Sequence, residues 1–248
     1  MMIRKRTIFI LLPVFNEGKS CFNLLERIDG LRTRMDVAIV VFAVNDGSTD
    51  DTIIWLEKAV RQLESLDIRL LAHDGNRGLG AGLETLFAAV APNLGDTDCI
   101  VTMDSDDTHA VTLIPEMIAG IDRGADMVIA SRYRDGSHVS GLPAFRRFLS
   151  FGARIVLTLR WRLPGVRDYT CLFRACSGAA VRRLLDHGPL TLRSTGFTAT
   201  AELLTRLAPY CRSIAEVPIE LRYENKVNPS NLKTLRTIVT TLRFVLGR

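Results

Sequence analysis

Five short apolar runs alternate with longer segments of helical periodicity in the first half of the chain, and this alternation limits the fold more than any other feature. The runs are continuously apolar, so we expect strands buried on both faces, as in a parallel sheet. Strands joined by helices in this order form right-handed βαβ units, which predicts an α/β fold. The predicted strands are 8–12, 37–44, 68–71, 99–103 and 127–130, and the predicted helices are 19–31, 50–66, 79–90 and 113–121.

The second half of the chain is less regular. It predicts helices over 143–163, 177–186, 198–207 and 231–246, and extended segments over 169–174 and 214–221. The last helix carries its apolar residues on one face, so we expect an amphipathic C-terminal helix. We predict one domain over 1–230, made of halves 1–131 and 132–230, followed by the helix in 231–248.

Charge is distributed unequally between the two halves. Residues 1–131 carry 12 basic and 20 acidic side chains, whereas residues 132–248 carry 20 basic and 7 acidic ones. Eight arginines lie between Arg132 and Arg167, interleaved with apolar residues at near-helical spacing. This composition favours an anionic membrane surface or a lipid phosphate as partner and argues against nucleic acid. The alternative is an ordinary helix with core residues on one face and solvated arginines on the other.

Cysteine usage and hydropathy bear on the compartment. Five scattered cysteines without a CxxC pair predict reduced thiols in a cytosolic protein. No apolar stretch approaches the length of a membrane span, so we expect a soluble or peripheral chain. The apolar run at 8–12 is cut short by Pro13 and is predicted to be a strand, not a signal peptide.

Two acidic stretches follow predicted strands directly. Asn45–Asp50 comes after the second strand and Asp104–Asp107 after the fourth, at the sheet edge where open α/β folds bind ligands. The carboxylates of Asp104 and Asp106 can reach one hard cation, which is a common way to hold a diphosphate. The sequence therefore suggests a metal-dependent enzyme acting on a nucleotide-linked substrate. The alternative is that these residues serve only turns and helix caps.

The motifs, taken in order, resemble a known family. The first half resembles the family 2 glycosyltransferases with a GT-A fold, through the motifs PVFNE (13–17), NDGSTD (45–50), GNRG (75–78), MDSD (103–106) and SRY (131–133). The second half is similar to the dolichol-phosphate mannosyltransferase and polyprenyl-phosphate glycosyltransferase branch, through RDYTCLFR (167–174), Gly196-Phe197 with Glu202, and EVPI (216–219). The resemblance covers about residues 7–232.

This resemblance implies an inverting, metal-dependent transfer of a sugar from GDP-mannose or a UDP-sugar to a polyprenyl or dolichyl phosphate. The reaction would take place at the cytoplasmic face of a membrane. Attachment would be direct, or through a separate membrane protein or a second copy of the chain. The alternatives are a glycosyltransferase with a hydroxyl acceptor and a non-catalytic, membrane-associated nucleotide-binding module.

The resemblance also implies roles for individual residues on the donor side. Asp104 and Asp106 would bind Mg²⁺ or Mn²⁺, with Thr108 as a third candidate ligand, and together with Arg132 they would form the catalytic set. The residues implied to bind the nucleotide sugar are Pro13, Phe15, Glu17, Asp46, Asn76, Arg77, Gly78, Asp104, Ser105 and Asp106.

On the acceptor side, Arg132, Arg146 and Ser150 match positions that grip the acceptor phosphate in this branch. The full set implied for the acceptor is Arg132, Arg146, Ser150, Asp168, Thr170, Arg174 and Glu202. A phosphate monoester is largely dianionic at pH 7 and needs positioning, not deprotonation. For a hydroxyl acceptor, Asp168 and Glu202 are the nearby candidates for a general base.

Some positions depart from the family pattern. Asn45 replaces the usual acid before Asp46, and Leu172 replaces a glycine. Thr108 replaces the glutamine that helps bind the metal in this branch, so Asp107 or a water could substitute as third ligand. Further changes, at Asn228 and Asn231, fall on the acceptor side, so the motifs identify the nucleotide sugar more firmly than the acceptor.

Overall fold

A computed structural model describes residues 6–35, 37–141, 144–194, 196–222 and 234–246; within these, only the backbone is described for 144–149, 222 and 234–238. The strands are β1 (Thr7–Val14), β2 (Ala38–Asn45), β3 (Asp67–Ala72), β4 (Cys99–Thr102), β5 (Met127–Ser131), β6 (His138–Ser140), β7 (Arg174–Ser177), β8 (Ile214–Pro218) and β9 (Glu220–Arg222). The α-helices are α1 (Lys19–Arg32), α2 (Thr52–Gln62), α3 (Leu79–Val90), α4 (Ile114–Asp122), α5 (Ala144–Trp161), α6 (Gly178–Leu185), α7 (Thr198–Leu207) and α8 (Thr234–Val245).

Seven strands form one sheet in the order β3-β2-β1-β4-β7-β5-β8. All neighbours are parallel except β7, which runs antiparallel to both β4 and β5. Two short strands, β6 and β9, form a separate parallel pair. The mostly parallel sheet flanked by helices confirms the predicted α/β fold class.

The centre of the sheet is apolar because its strands are covered on both faces. Helix α3 packs on β1 and β2, and α4 packs on β5 and β7. The side chains of β4 and β5 are buried throughout, and β1 is buried except at Pro13, which is partly exposed. Because they are buried on both faces, these strands do not show the alternation of apolar and polar residues that is typical of half-exposed strands.

Helix α2 is shorter than the predicted helix at 50–66. It begins at Thr52, directly after an Asx turn in which the side chain of Asp50 accepts a hydrogen bond from the Thr52 amide at 3.0 Å. After Gln62 the chain turns, with the Leu66 amide bonded to the Leu63 carbonyl at 2.9 Å, and enters β3 at Asp67. The apolar periodicity thus continued past the end of the helix.

The second half departs further from the predicted elements. The extended segment expected at 169–174 lies mostly outside a strand, and the strand is β7 at Arg174–Ser177, so α6 begins at Gly178. The single strand expected at 214–221 is divided, because β8 ends in the main sheet at Pro218 and β9 pairs with β6. The sequence pattern did not predict strand β6, because this strand has no apolar run.

The C-terminal helix α8 lies beside α5. The rings of Trp161 and Phe244 stack with 4.6 Å between centroids, and the Arg160 guanidinium donates from Nε to the Val245 carbonyl at 3.1 Å. Pro143 and residues 231–233, which were predicted to begin these two helices, lie outside the described residues. The amphipathic character of the whole C-terminal helix therefore stays a prediction.

The junction between β7 and α6 is closely packed against the turn before β4. The Gly178 amide donates to the Asp98 carbonyl at 2.7 Å, and a methyl group at Gly178 would overlap the Gly95 carbonyl oxygen. We predict that Gly178→Ala lowers the free energy of unfolding by about 1–3 kcal/mol, because backbone must move to admit the methyl group. Urea unfolding measures the change.

Gly152→Ala is the matched control for this substitution. Gly152 lies on α5, and a methyl group there meets nothing within 4 Å. Alanine should therefore stabilise the protein by up to about 1 kcal/mol, through helix propensity alone. Equal effects of the two substitutions would contradict close packing at Gly178.

Candidate functional site

The carboxyl ends of β1, β2 and β4 lie side by side at one edge of the sheet. Val14 pairs with Asn45, and Leu11 pairs with Thr102, so the three following loops leave the sheet next to each other. Strand β5 ends at the same edge, two strands away from β4, or roughly 10 Å. The structure thus brings together the acidic motifs and the segment that begins at Arg132.

The first two loops are tied to each other by hydrogen bonds. Asn16, in a left-handed conformation with φ 55°, donates its amide to Ser48 Oγ at 3.0 Å and accepts from the Thr49 amide through Oδ1 at 2.8 Å. The amides of Glu17 and Gly18 both donate to Thr52 Oγ1. These bonds hold Pro13, Phe15 and Glu17 at the sheet edge as partly exposed residues.

Asp46 holds the loop that follows β3 against the end of β2. Its carboxylate accepts hydrogen bonds from the amides of Arg77 and Gly78, at 2.9 and 2.7 Å. His73 Nδ1 lies 2.6 Å from the same carboxylate, and His73 Nε2 lies 2.9 Å from Thr85 Oγ1. Asp46 is buried, so it could act on a ligand only through the loop containing Asn76, Arg77 and Gly78.

Sequence reasoning missed His73 and Thr85. A signal was available for the histidine, since it comes directly after β3, a parallel strand that ends at the same sheet edge. Thr85 lies within the helical pattern of α3 and gave no signal. The contact between them depends on how α3 packs over the sheet.

The acidic loop after β4 is anchored to the first loop. Ser105 Oγ donates to the Pro13 carbonyl at 2.8 Å. Asp106 is buried and accepts through Oδ1 from the Thr108 amide and from Thr108 Oγ1, at 3.2 and 2.6 Å. Asp104 is the more accessible carboxylate, with a side chain that is 35% exposed and lies 3.8 Å from His109 Nε2.

Asp107 points to a different neighbour. Its backbone is left-handed, with φ 60°, and its Oδ2 lies 3.2 Å from the Arg27 guanidinium on α1. Burial raises the pKa of Asp107, and the neighbouring Asp106 adds to the rise, while the charge of Arg27 opposes it. In the part of the chain that the structure describes, no three His, Cys, Asp or Glu side chains converge as a metal cage.

A buried ion pair follows β5. Arg132 donates from Nε and NH2 to both oxygens of Asp168, at 2.8 and 2.7 Å, and its amide donates to Asp168 at 3.0 Å. Thr170 accepts from the same guanidinium through Oγ1. Burial alone would raise the pKa of Asp168, but the charge and hydrogen bonds of Arg132 lower it to about 2. Arg132 is therefore held in one orientation.

Arg174 and Glu202 are engaged in hydrogen bonds to the backbone of other segments. The buried Arg174 guanidinium donates to the carbonyls of Thr200 and Tyr169, at 2.7 and 2.8 Å. The buried Glu202 carboxylate accepts from the amides of Arg193 and Ser194. Both were predicted to bind the acceptor, and as placed they can do so only through the loops they hold.

The remaining acceptor residues lie on α5. Ser150 Oγ is 2.8 Å from the Tyr133 hydroxyl, next to the Arg132 segment. The side chain of Arg146 lies outside the described part of the chain. Its predicted contact with the acceptor stays a prediction.

A family model described as Glycosyl transferase family 2 matches residues 9–186 of the chain. The chain belongs to this family. The match spans the sheet from β1 to β7 and α6, and with it the segments that follow β1, β2, β3, β4 and β5 at the sheet edge. Membership in glycosyl transferase family 2 confirms the resemblance that the motifs indicate.

Curated relatives in the family carry names that agree with the predicted branch. The chain is 30% identical over 241 residues to a dolichol-phosphate mannosyltransferase of Pyrococcus furiosus, covering 95% of this chain and 63% of the relative. It is 27% identical over 225 residues to an undecaprenyl-phosphate mannosyltransferase of Micrococcus luteus, covering 86% of this chain and 82% of the relative. The chain thus spans less than two thirds of the length of the Pyrococcus protein.

Solved structures share the fold. Glucosyl-3-phosphoglycerate synthase from Mycobacterium tuberculosis, in complex with Mn²⁺, UDP and glucosyl-3-phosphoglycerate, superimposes with a TM-score of 0.64 at 23% identity. The alignment covers 98% of this chain and 80% of that chain. This likeness confirms the GT-A fold predicted for a family 2 protein. Across the part of the chain that is described, no helix is long and apolar enough to span a bilayer.

The ion pair at the site should contribute strongly to folding. Asp168→Asn leaves Arg132, whose side chain is only 15% exposed, without its buried counter-charge, so we predict a loss of about 3 kcal/mol in the free energy of unfolding at pH 7. Folding lowers the pKa of Asp168 from about 3.9. The contribution is therefore complete above about pH 4 and is lost as the pH falls toward 2. Urea unfolding at pH 7 and pH 3 measures both effects.

Asp96→Asn is the matched control for this prediction. Asp96 pairs with Arg182 at 3.5 Å on the surface, where an ion pair contributes less than about 1 kcal/mol. Equal losses for the two variants at pH 7 would mean that the Arg132–Asp168 pair is not a buried ion pair in solution.

Proposed function

We propose that the chain transfers a sugar from a nucleotide sugar, GDP-mannose or a UDP-sugar, to a polyprenyl phosphate of the dolichyl or undecaprenyl type. The observation that carries the proposal is the shared sheet edge, where the acidic loop after β4 and the immobilised Arg132 after β5 lie about two strand spacings apart. This arrangement suits a nucleoside diphosphate on one side and an anionic acceptor on the other. The names of the two curated relatives agree with a polyprenyl phosphate acceptor and with mannose as the transferred sugar.

The donor side offers loops and carboxylates. Partly exposed residues of the first loop and the backbone of the 76–78 loop would contact the nucleoside, and the loop after β4 would meet the diphosphate. Asp104 and Asp106 provide the hard oxygen ligands that Mg²⁺ and Mn²⁺ bind. Diphosphate oxygens would supply further ligands to a cation held by these two carboxylates. Thr108 stays a candidate ligand close to Asp106, 2.6 Å from its carboxylate.

A bound cation would neutralise charge on the departing nucleoside diphosphate. The side chains after β5 would orient the acceptor. An inverting transfer needs an acceptor oxygen aligned with the anomeric carbon, opposite to the leaving diphosphate. The guanidinium of Arg132, fixed by two bonds to Asp168, presents a positive charge of defined direction for that purpose.

The contacts of Asp168 and Glu202, the two candidate general bases, favour a phosphate acceptor over a hydroxyl acceptor. Asp168 is ionised, buried and bonded to Arg132 through both oxygens, and Glu202 is bonded to two backbone amides. Neither is placed to remove a proton from a hydroxyl group. A phosphate monoester needs no such base, because it is already largely dianionic at neutral pH.

Two adjacent helices expose apolar side chains that could contact a membrane. Of the ten large exposed apolar residues that are described, five lie on α5 and α8 and a sixth directly follows α8: Phe151, Ile155, Leu159, Val239, Leu242 and then Leu246. Exposed Arg160, Arg162 and Arg243 lie among them. Apolar rows with arginines suit the interface of an anionic bilayer. We place the reaction at a cytoplasmic membrane face, where the five cysteines, all free, would stay reduced.

Metal-dependent nucleotide binding tests the donor site. We expect one of GDP, UDP, CDP, ADP and dTDP to raise the melting temperature in the presence of Mn²⁺. A nucleotide at 100 times its Kd contributes about 2.7 kcal/mol. Asp106→Ala should abolish the metal-dependent part of the shift, since it removes an implied ligand. Transfer from the matching nucleotide sugar to a polyprenyl phosphate is then assayed directly.

Asp107→Asn is the control for the metal site. Asp107 is the neighbouring acid, it contacts Arg27 on α1, and asparagine tolerates its left-handed backbone. Each variant is compared with its own melting temperature without ligand. A preserved shift in Asp107→Asn supports Asp104 and Asp106 as ligands, whereas its loss would assign the cation to Asp107. No shift with any nucleotide would favour a non-catalytic membrane-associated module.

Vesicle binding tests the membrane surface. We predict that Leu159→Ser weakens binding to vesicles containing anionic phospholipid about tenfold, because a leucine side chain no longer enters the apolar layer. Ile54→Ser on α2 is the control, since Ile54 is 60% exposed and Leu159 is 64% exposed. Binding should weaken as salt is raised. Equal effects of the two variants in a sedimentation assay would exclude α5 as the contact.

A further inference from the structure

Tyr133 connects the ion pair at β5 to the helix that carries the predicted phosphate contacts. It follows Arg132 directly, and its hydroxyl lies 2.8 Å from Ser150 Oγ on α5. We infer that Tyr133 is a positioning residue that orients the Ser150 hydroxyl toward the acceptor phosphate and sets the distance between α5 and Arg132. This inference rests on the proposed transfer to a lipid phosphate and names a residue to which neither the motifs nor the relatives give a role.

The tyrosine is held on several sides. Arg154 lies over its ring, 4.5 Å from the centroid, and the guanidinium of Arg132 is 5.6 Å from the same centroid. Its amide donates to Ser131 Oγ at 3.2 Å, and its carbonyl accepts from Arg167 at 3.3 Å. A ring that contacts two guanidinium groups is attracted to both. These contacts therefore hold the Tyr133 hydroxyl at a fixed position next to Ser150.

The paired hydroxyls have one consequence for anion binding. Two hydroxyl groups carry two protons, and their mutual hydrogen bond uses one, so one O–H remains to donate to a third group. The phenol is the stronger acid and the better donor, which favours donation from Tyr133 to Ser150 and leaves the serine proton for the ligand. A phosphate oxygen, which only accepts, suits that remaining donor.

The position of the pair agrees with this role. Ser150 and Tyr133 are partly buried, so their hydrogen bond is shielded while a ligand can still reach it. Arg132 and Arg154 place positive charge on the same tyrosine ring. An anionic group at Ser150 would therefore meet one hydroxyl donor, and both guanidinium groups lie against the ring of its partner Tyr133.

The test is a double-mutant cycle with Tyr133→Phe, Ser150→Ala and the combined variant. Each single change removes one hydroxyl and keeps the remaining side chain. We expect each to raise the KM for polyprenyl phosphate about tenfold, because either change removes or weakens the hydrogen bond from Ser150 to the charged phosphate. The double variant should show about the same increase and not about a hundredfold one, because the two hydroxyls act as a unit. The KM for the nucleotide sugar and kcat should stay within about twofold.

Three results would overturn the inference. They are an unchanged acceptor KM in Tyr133→Phe, multiplied effects in the double variant, and equal rises in the acceptor and donor KM values. Tyr210→Phe is the control, since Tyr210 lies against His187 and should change neither KM. Wild-type turnover is measured first. Its absence with polyprenyl phosphate rejects the proposed function and this inference together, whereas turnover with an unaffected Tyr133→Phe rejects the inference alone.

Discussion

The hydrogen bonding of β7 to both β4 and β5 is the constraint on which the candidate site depends. Because β7 is antiparallel to each neighbour, β4 and β5 run in the same direction and end at the same sheet edge. The acidic loop and Arg132 meet there for that reason. The turn after β7 has no spare room, since Gly178 packs on the backbone before β4. The donor side, after β4, and the acceptor side, after β5, are thus held at a fixed separation by the strand β7 that pairs with both.

Most buried carboxylates of the site hold loops. Asp46, Asp168 and Glu202 each accept two or more backbone amide hydrogen bonds, which fixes loops that would otherwise sample many conformations. Asp104 differs because its side chain is more exposed. The acidic residues thus divide into those that shape the site and those that can meet a ligand. Preorganised groups of this kind need no rearrangement when charge develops during a reaction.

Helix α5 combines two features that a lipid phosphate would require. Ser150, next to Tyr133 and the Arg132 segment, lies at one position of the helix, and the exposed apolar row of Phe151, Ile155 and Leu159 begins beside it. In the proposed function a phosphate head group would be held near Ser150 while the isoprenoid chain stays in the bilayer. The stacking of Trp161 on Phe244 extends this surface to α8.

The sequence by itself determined the alternating first half, the two acidic loops and membership in the family, because buried parallel strands and turns depend on local composition. It predicted neither β7 nor the division of β8 from β9, since short strands are decided by pairing partners far along the chain. Only the tertiary structure showed that Asp46 meets His73 and that Asp107 turns to Arg27. It also joined Tyr133 to Ser150. Such contacts depend on the order of strands in the sheet, which sets the loops that become neighbours.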